Sequence, residues 1–194
     1  MSGSAPSNEL EVKARVPSPT ALRRALVAAG ARLEFRGRMS DRILDRLDRR
    51  DRLAPRGEVL RLRVYRRGAA VHGVLTWKGP AGARGAYRHR LELEARVAGP
   101  DAVLGILRRL GFRESQRIDR RVEIWRLGKT VLRIERYPQM DTLVEVEGAP
   151  GAIERAIAAT GLARERFLPV SLPHFVHAYE IRTGRRARLA EPER

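Results

Sequence analysis

The chain has 194 residues, enough for one ordinary domain with a sizeable core, and its 43% hydrophobic and 32% charged residues fit a globular protein, not a disordered or fibrous one. It contains no cysteine, which excludes disulfide frameworks, thiolate zinc sites, iron–sulfur clusters and cysteine nucleophiles. Lys and Arg total 40 against 23 Asp and Glu, a formal charge of +17 that draws anions, yet only Lys13, Lys78 and Lys129 are lysine, so arginine used wherever a surface cation will do accounts for much of it.

No apolar run approaches the roughly 18 residues of a membrane span, and MSGSAPSNELEV lacks the basic-then-apolar pattern of a signal peptide. The expectation is a cytoplasmic protein without a membrane partner. Residues 1–7 and 185–194 read as flexible tails around a single domain over 8–180.

Residues 8–16 (NELEVKARV) alternate strictly, with Glu9, Glu11, Lys13 and Arg15 on one face and Leu10, Val12, Ala14 and Val16 on the other, which predicts a strand. PSPTALRRALVAAG then predicts a helix capped by Ser18, started by Pro19, striped by Leu22, Leu26 and Ala29 and stopped by Gly30. MSDRILD, within a less clear stretch over 36–47, leads into the charged loop DRRDRLAPRG. Residues 58–66 set Arg61, Arg63 and Tyr65 against Leu60, Leu62 and Val64, and residues 71–78 set Thr76 and Lys78 against Leu75 and Trp77.

Residues 88–97 repeat the first pattern, with Arg88, Arg90, Glu92, Glu94 and Arg96 opposite Leu91, Leu93, Ala95 and Val97. Gly99-Pro100 opens a helix with Val103, Ile106, Leu107 and Leu110 at helical spacing, closed by Gly111. Strands over 117–125 and 131–137 carry Arg121 with Glu123 and Arg133 with Glu135. The third copy of the pattern is TLVEVEGAPGAIERAIAATG, with Glu145 and Glu147 before a helix ending at Gly161. Glu-x-Glu strand, Pro, amphipathic helix and Gly thus recur three times. This predicts an internally duplicated α+β fold of about eight mostly antiparallel strands with three or four helices.

Across these strands the polar face is almost wholly Glu with Arg or Lys, nine basic residues and eight acidic, so it carries only +1 of the +17. Charges of both signs suit a watery interior better than a dry core, because an unpaired buried charge is expensive. A sheet curled with this face inward leaves its apolar face for the helices, a closed barrel with a charged bore. Carboxylates at i and i+2 point the same way and can share Mg²⁺ or Mn²⁺, while facing cations hold phosphate oxygens. Salt-bridge ladders are the competing account of the same pattern.

Glu9-Leu10-Glu11-Val12-Lys13 resembles the ExExK signature of the CYTH proteins, the triphosphate tunnel metalloenzymes. VLRLRVYRR (59–67), LTWKGP (75–80), RHRLELEARV (88–97), a helix ending LGF (110–112) and LVEVEG (143–148) follow in the family's order, and LRLR and LTWKGP are most similar to the class IV adenylate cyclase branch. The resemblance implies a closed eight-stranded antiparallel β tunnel with flanking helices. It implies Glu9, Glu11, Glu145 and Glu147 as metal ligands, with Glu135 or Glu94 contributing. It implies Lys13, Arg61, Arg63, Lys78, Arg90, Arg121 and Arg133 as triphosphate-binding residues, register deciding among Arg117, Arg120 and Arg121. In the cyclase branch the ribose 3′ hydroxyl of ATP attacks the α-phosphorus and pyrophosphate leaves. In the hydrolase branches water attacks a terminal phosphorus of inorganic or thiamine triphosphate, and Lys13, with a lowered pKa, is the candidate to orient or deprotonate it.

ERYPQMDTLVEVEG departs from the cyclase branch in lacking an LG-x-F approach to its last Glu-x-Glu, and a homodimer is left open. Two rivals remain, a silent polyphosphate binder and a nucleic-acid-binding module. Against the second stand aromatics of only 5% and eight glutamates on the candidate face. Gly128-Lys129-Thr130 is half of a P-loop, but position 123 is Glu where the first glycine should be, so it reads as a hairpin turn. His174 and His177 read as surface or packing residues.

Overall fold

The structure, a computed structural model, describes residues 7–192; of Ser7, Asn8 and Glu9 only the backbone is described. The chain runs β1 (Ser7–Arg15), α1 (Pro19–Ala28), β2 (Arg32–Arg46), β3 (Val59–Arg67), β4 (Ala70–Lys78), β5 (Gly82–Arg84), β6 (Tyr87–Val97), α2 (Pro100–Arg109), β7 (Phe112–Leu127), β8 (Thr130–Arg136), β9 (Leu143–Glu147), α3 (Pro150–Thr160) and α4 (Leu172–Thr183). Strand order is β1-β9-β8-β7-β2-β3-β4-β6-β5, and β1 also pairs with β6. Eight strands therefore close their hydrogen bonding in an antiparallel barrel, with β5 as a ninth strand, in an α+β fold. Among the described residues no helix is long and apolar enough to cross a membrane.

The three predicted strand–helix units are β1–α1, β6–α2 and β9–α3. Each helix begins with proline at its first position, where the missing N–H goes unmissed, and Ser18 Oγ caps α1 by accepting from the Ala21 N–H at 3.3 Å. Gly111 and Gly161 stop α2 and α3 with φ of +85° and +70°, a left-handed conformation that side chains with a Cβ resist. The unclear stretch is a long strand, β2, and the charged loop after it holds two 3-10 turns, Arg49–Asp51 and Ala54–Arg56.

By its contacts the chain forms two compact units. One contains Gly37–Gly82 and Arg90–Asp119; the other contains Glu9–Arg36, Ala83–His89 and the chain from Arg120 on. In the second unit, Leu10, Val12 and Ala14 of β1, Leu132 and Ile134 of β8 and Val144 and Val146 of β9 pack with Leu22 and Leu26 of α1 and Ile153, Ala156 and Ile157 of α3. Ala29, expected in the α1 stripe, is exposed beyond the helix end.

In the first unit, Leu44, Leu53, Leu62, Val64, Leu104 and Phe112 form the core, with Val103 and Leu107 against it. The packed face of α2 therefore centres on Leu104, while Ile106 and Leu110, expected inward, are 58% and 59% exposed. The end expected to be loose from 185 is held in its first residues. Gln139 and Arg188 exchange both backbone hydrogen bonds, at 3.0 and 2.9 Å, and the Ala187 N–H donates to Glu180 at 2.9 Å.

Not every charge on an alternating strand faces the way the pattern implied. Glu123 of β7 points to the helix-covered side, where Arg23 of α1 donates through Nε and Nη2 at 2.8–3.0 Å and Trp125 Nε1 donates at 3.3 Å. Burial pushes the Glu123 carboxyl up, but the Arg23 hydrogen bonds and charge, with Arg36, outweigh it and hold it below the ordinary range. A carboxyl with a depressed folded pKa stabilises the protein above its unfolded pKa, and this contribution fades as pH falls through the folded value. Glu123→Gln should therefore cost about 1–2 kcal/mol in urea unfolding at neutral pH and nothing at the acid end, so the stability difference from wild type should shrink on acidification.

Candidate functional site

In the second unit the pairing of β1 with β9 sets Glu11 opposite Glu147 and Lys13 opposite Glu145. The buried Lys13 Nζ lies 3.0 Å from Glu11 and 2.5 Å from Glu145. Arg133, opposite Glu145 on β8, donates to it through Nε at 3.0 Å and bonds Glu147 as well. Arg88 donates to Glu11 at 2.7 Å. The same face of β8 carries Glu135, which accepts from the Tyr137 hydroxyl at 2.5 Å and lies 3.7 Å from Arg120.

Sequence register had favoured Arg121 on β7, but Arg121 is exposed and Arg120, 7% exposed, takes the inward position. β7 carries charge on both faces, Glu123 outward and Arg120 inward, so alternation alone misassigns it. The expectation for the Glu9 carboxylate lies outside the described residues.

The electrostatics of Lys13 differ from those expected of a proton acceptor. Burial pushes its pKa down, but the charges of Glu11 and Glu145 outweigh this and raise it. Its neighbours are carboxylates, not the cations that would release its proton, so it is a fixed ammonium. Glu11 is pushed up by burial and by Glu145, yet Lys13 and Arg88 bring it net below its ordinary value.

In the first unit, β2, β3, β4 and β6 assemble a second network. Asp41, 3% exposed, accepts from Arg63 Nε and Nη2 at 2.7 and 2.9 Å, a bidentate pair between register partners. Arg61 Nη2 donates to Thr76 Oγ1 at 3.2 Å, and Thr76 donates to Glu94 at 2.8 Å. Lys78 bonds Glu92 on the paired strand. Arg90 is held differently, by the carbonyl oxygens of Gly79 and Gly57. Of the predicted residues, Lys13, Arg133, Glu11, Glu145, Glu147 and Glu135 come together in one unit, and Arg61, Arg63, Lys78 and Arg90 in the other.

Asp41 and Tyr137 were missed. Asp41 sits in the weakly patterned MSDRILD, where its two-residue spacing from Met39 on one strand face was the available signal; Tyr137 directly follows β8, two residues after Glu135.

Charge counting separates the two networks. Among the described side chains, Glu11, Glu135, Glu145 and Glu147 match Lys13, Arg88, Arg120 and Arg133 in number, so the described part of the second unit's network balances. Asp41, Glu92 and Glu94 leave one excess positive charge among Arg61, Arg63, Lys78 and Arg90. A polyanion entering a neutral network must displace carboxylates or arrive with cations. The donor set of Glu11, Glu145 and Glu147, all hard oxygens without His or Cys, fits Mg²⁺ or Mn²⁺ by chemistry. As the side chains stand, the fixed cations occupy these carboxylates, and among the described residues no three metal-binding groups converge on one point.

A candidate adenylate cyclase from Vibrio parahaemolyticus superposes with a TM-score of 0.70 at 18% identity, over 87% of this chain and 97% of that one. The PH1012 protein of Pyrococcus horikoshii gives 0.67 at 20%, over 86% and 98%. The chain has the fold of these proteins. A candidate adenylyl cyclase from Hippeastrum, described as having a dominant triphosphatase activity, gives 0.63 at 18%, over 95% of this chain and all of that one. No protein-family model matches the chain, and no curated protein matches it either.

The Asp41–Arg63 pair gives a direct stability test. Arg63→Met removes the bidentate partner of a buried carboxylate and should cost about 3–5 kcal/mol, whereas Asp41→Leu with Arg63→Met should recover much of that. A double-mutant cycle in urea checks this, and additive losses would refute the coupling.

Proposed function

We propose that the protein is a CYTH-type enzyme acting on a triphosphate with Mg²⁺ or Mn²⁺. The observation that carries this reading is the network of paired opposite charges around Lys13. Three carboxylates on paired strands alternate with fixed cations, an arrangement that accepts a metal and a polyphosphate together and neither comfortably alone. The family resemblance of the sequence motifs and the fold of the cyclase-named neighbours support it.

Glu11, Glu145 and Glu147, with Glu9 two residues before Glu11 on β1 and Glu135 on β8, would hold the ion, which would polarise a phosphoryl oxygen as a Lewis acid. Lys13 and Arg133 are the phosphate-binding cations of the second unit. Arg120 takes the place the sequence reading gave to Arg121. Arg61, Arg63, Lys78 and Arg90 are those of the first. Their carboxylate, hydroxyl and carbonyl partners hold them in place before substrate arrives, so little reorganisation remains for the transition state. Lys13, held protonated, serves as an orienting charge and not as the base.

The first reading of the reaction is cyclase-like, in which the ATP 3′ oxygen bonds the α-phosphorus as pyrophosphate departs. The second is a triphosphatase, favoured by the activity described for the Hippeastrum neighbour. Phosphorus NMR of ATP, inorganic triphosphate and thiamine triphosphate, each with Mg²⁺ and Mn²⁺, separates them. Cyclic AMP with pyrophosphate supports the first, and orthophosphate the second. Glu147→Gln and Glu145→Gln should each lower turnover by about a hundredfold or more with circular dichroism unchanged. Near-wild-type turnover in both would remove the carboxylate set from the mechanism.

A further inference from the structure

Gly128-Lys129-Thr130 is a hairpin turn between β7 and β8, but the turn stands beside the start of a helix. Lys129, Thr130, Ala149, Gly151, Ala152 and Arg155 line a cleft of about 580 Å³. α3 begins there with Ala149 as N-cap, no side-chain capping bond, Pro150 at its first position and no acidic residue in its first turn. The N–H groups of Ala152 and Ile153 both turn back to the Ala149 carbonyl at 2.9 Å, and proline has none. The Gly151 N–H is left without a hydrogen-bond partner among the described residues.

Two cations share this positive helix end. Arg155 Nη1 lies 3.6 Å from where a Cβ on Gly151 would stand, which puts the guanidinium back over the first turn. Lys129 lines the cleft from the hairpin. Neither makes an ion pair among the described residues. The nearby carboxylates are engaged elsewhere, Glu147 by Arg133 and Glu154 by Tyr87 and Arg164.

The independent observation is Thr130. Its side chain is buried, the residue being 1% exposed, and its hydroxyl has no hydrogen-bond partner among the described residues. That hydroxyl lies 3.3 Å from where a Cβ on Gly148 would stand, so it is turned toward the chain entering α3. Two cations, a positive helix end, and an N–H and a hydroxyl without protein partners thus line one cleft with no carboxylate lining it, a setting that favours an oxyanion.

We propose that this cleft binds a small phosphate-bearing anion, through the Gly151 N–H, the Thr130 hydroxyl and the charges of Lys129 and Arg155. No residue of the proposed catalytic networks lines it, so it stands or falls apart from the proposed activity.

The test is an amide NMR titration of the full chain with inorganic phosphate, pyrophosphate and AMP, without divalent metal and at an ionic strength held constant with chloride. The Gly151 and Thr130 amides should shift saturably. Lys129→Gln and Arg155→Gln, both at exposed positions, should each weaken the titration about tenfold, and Thr130→Val, which keeps the shape, several-fold. AMP matching phosphate would identify a monoester ligand, and phosphate or pyrophosphate alone a free inorganic one. An unmoved Gly151, shifts confined to the networks around Lys13 and Arg63, or variants titrating like wild type would overturn the proposal.

Discussion

The antiparallel register of β1 against β9 is the constraint on which the second unit depends. Setting Lys13 opposite Glu145 and Glu11 opposite Glu147 places one ammonium between two carboxylates at a depth where none could remain charged alone. The same register turns Leu10, Val12 and Ala14 to the other face, against the helices. A slip of one residue would bury the charges in the apolar core and expose the aliphatic residues, so packing and electrostatics enforce one alignment. The charged face is thus locked by the apolar face behind it.

Satisfying buried charge pairwise has a chemical consequence. Each cation proposed to meet phosphate already has a partner, Arg63 a carboxylate, Arg61 a threonine relayed to Glu94, and Arg90 two carbonyl oxygens. These contacts fix guanidinium planes. They also make the networks poor anion traps by themselves. On the proposed function, preference for a metal-bound polyphosphate over a bare anion would follow from the pairing of charges around Lys13, whereas a nucleic-acid reading would need uncompensated cations there.

Much of this was legible because the period is two and the punctuation regular. The β1, β6 and β9 patterns with their following Pro and Gly marked three strand–helix units, and the ExExK, RLR and TWK runs marked most of the charged residues that meet. What escaped depends on partners distant in sequence. Arg120 and Arg121 are both arginine on a strand charged on both sides, and only the reach of Arg23 from α1 to Glu123 shows which side is which. Ile106 and Leu110 keep helical spacing with Val103 and Leu107, yet the core contacts centre on Leu104, one position round the helix. The raised pKa of Lys13 was hidden for the same reason, since the sequence supplies the charges but not which sign stands nearest.

The three lysines bring these points together. In a chain that uses arginine for almost every cation, a lysine is kept where a guanidinium would not serve. Lys13 fits a compact charge between two carboxylates, and Lys78 spans one strand spacing to Glu92. An arginine in either place would spread its charge over a planar five-donor fork, where the ammonium concentrates it on one atom. Lys129 stands on an exposed turn without a paired carboxylate among the described residues. There the difference from arginine is hydration and a point charge free to follow its counter-ion, properties that suit contact with a mobile anion and not a fixed side chain.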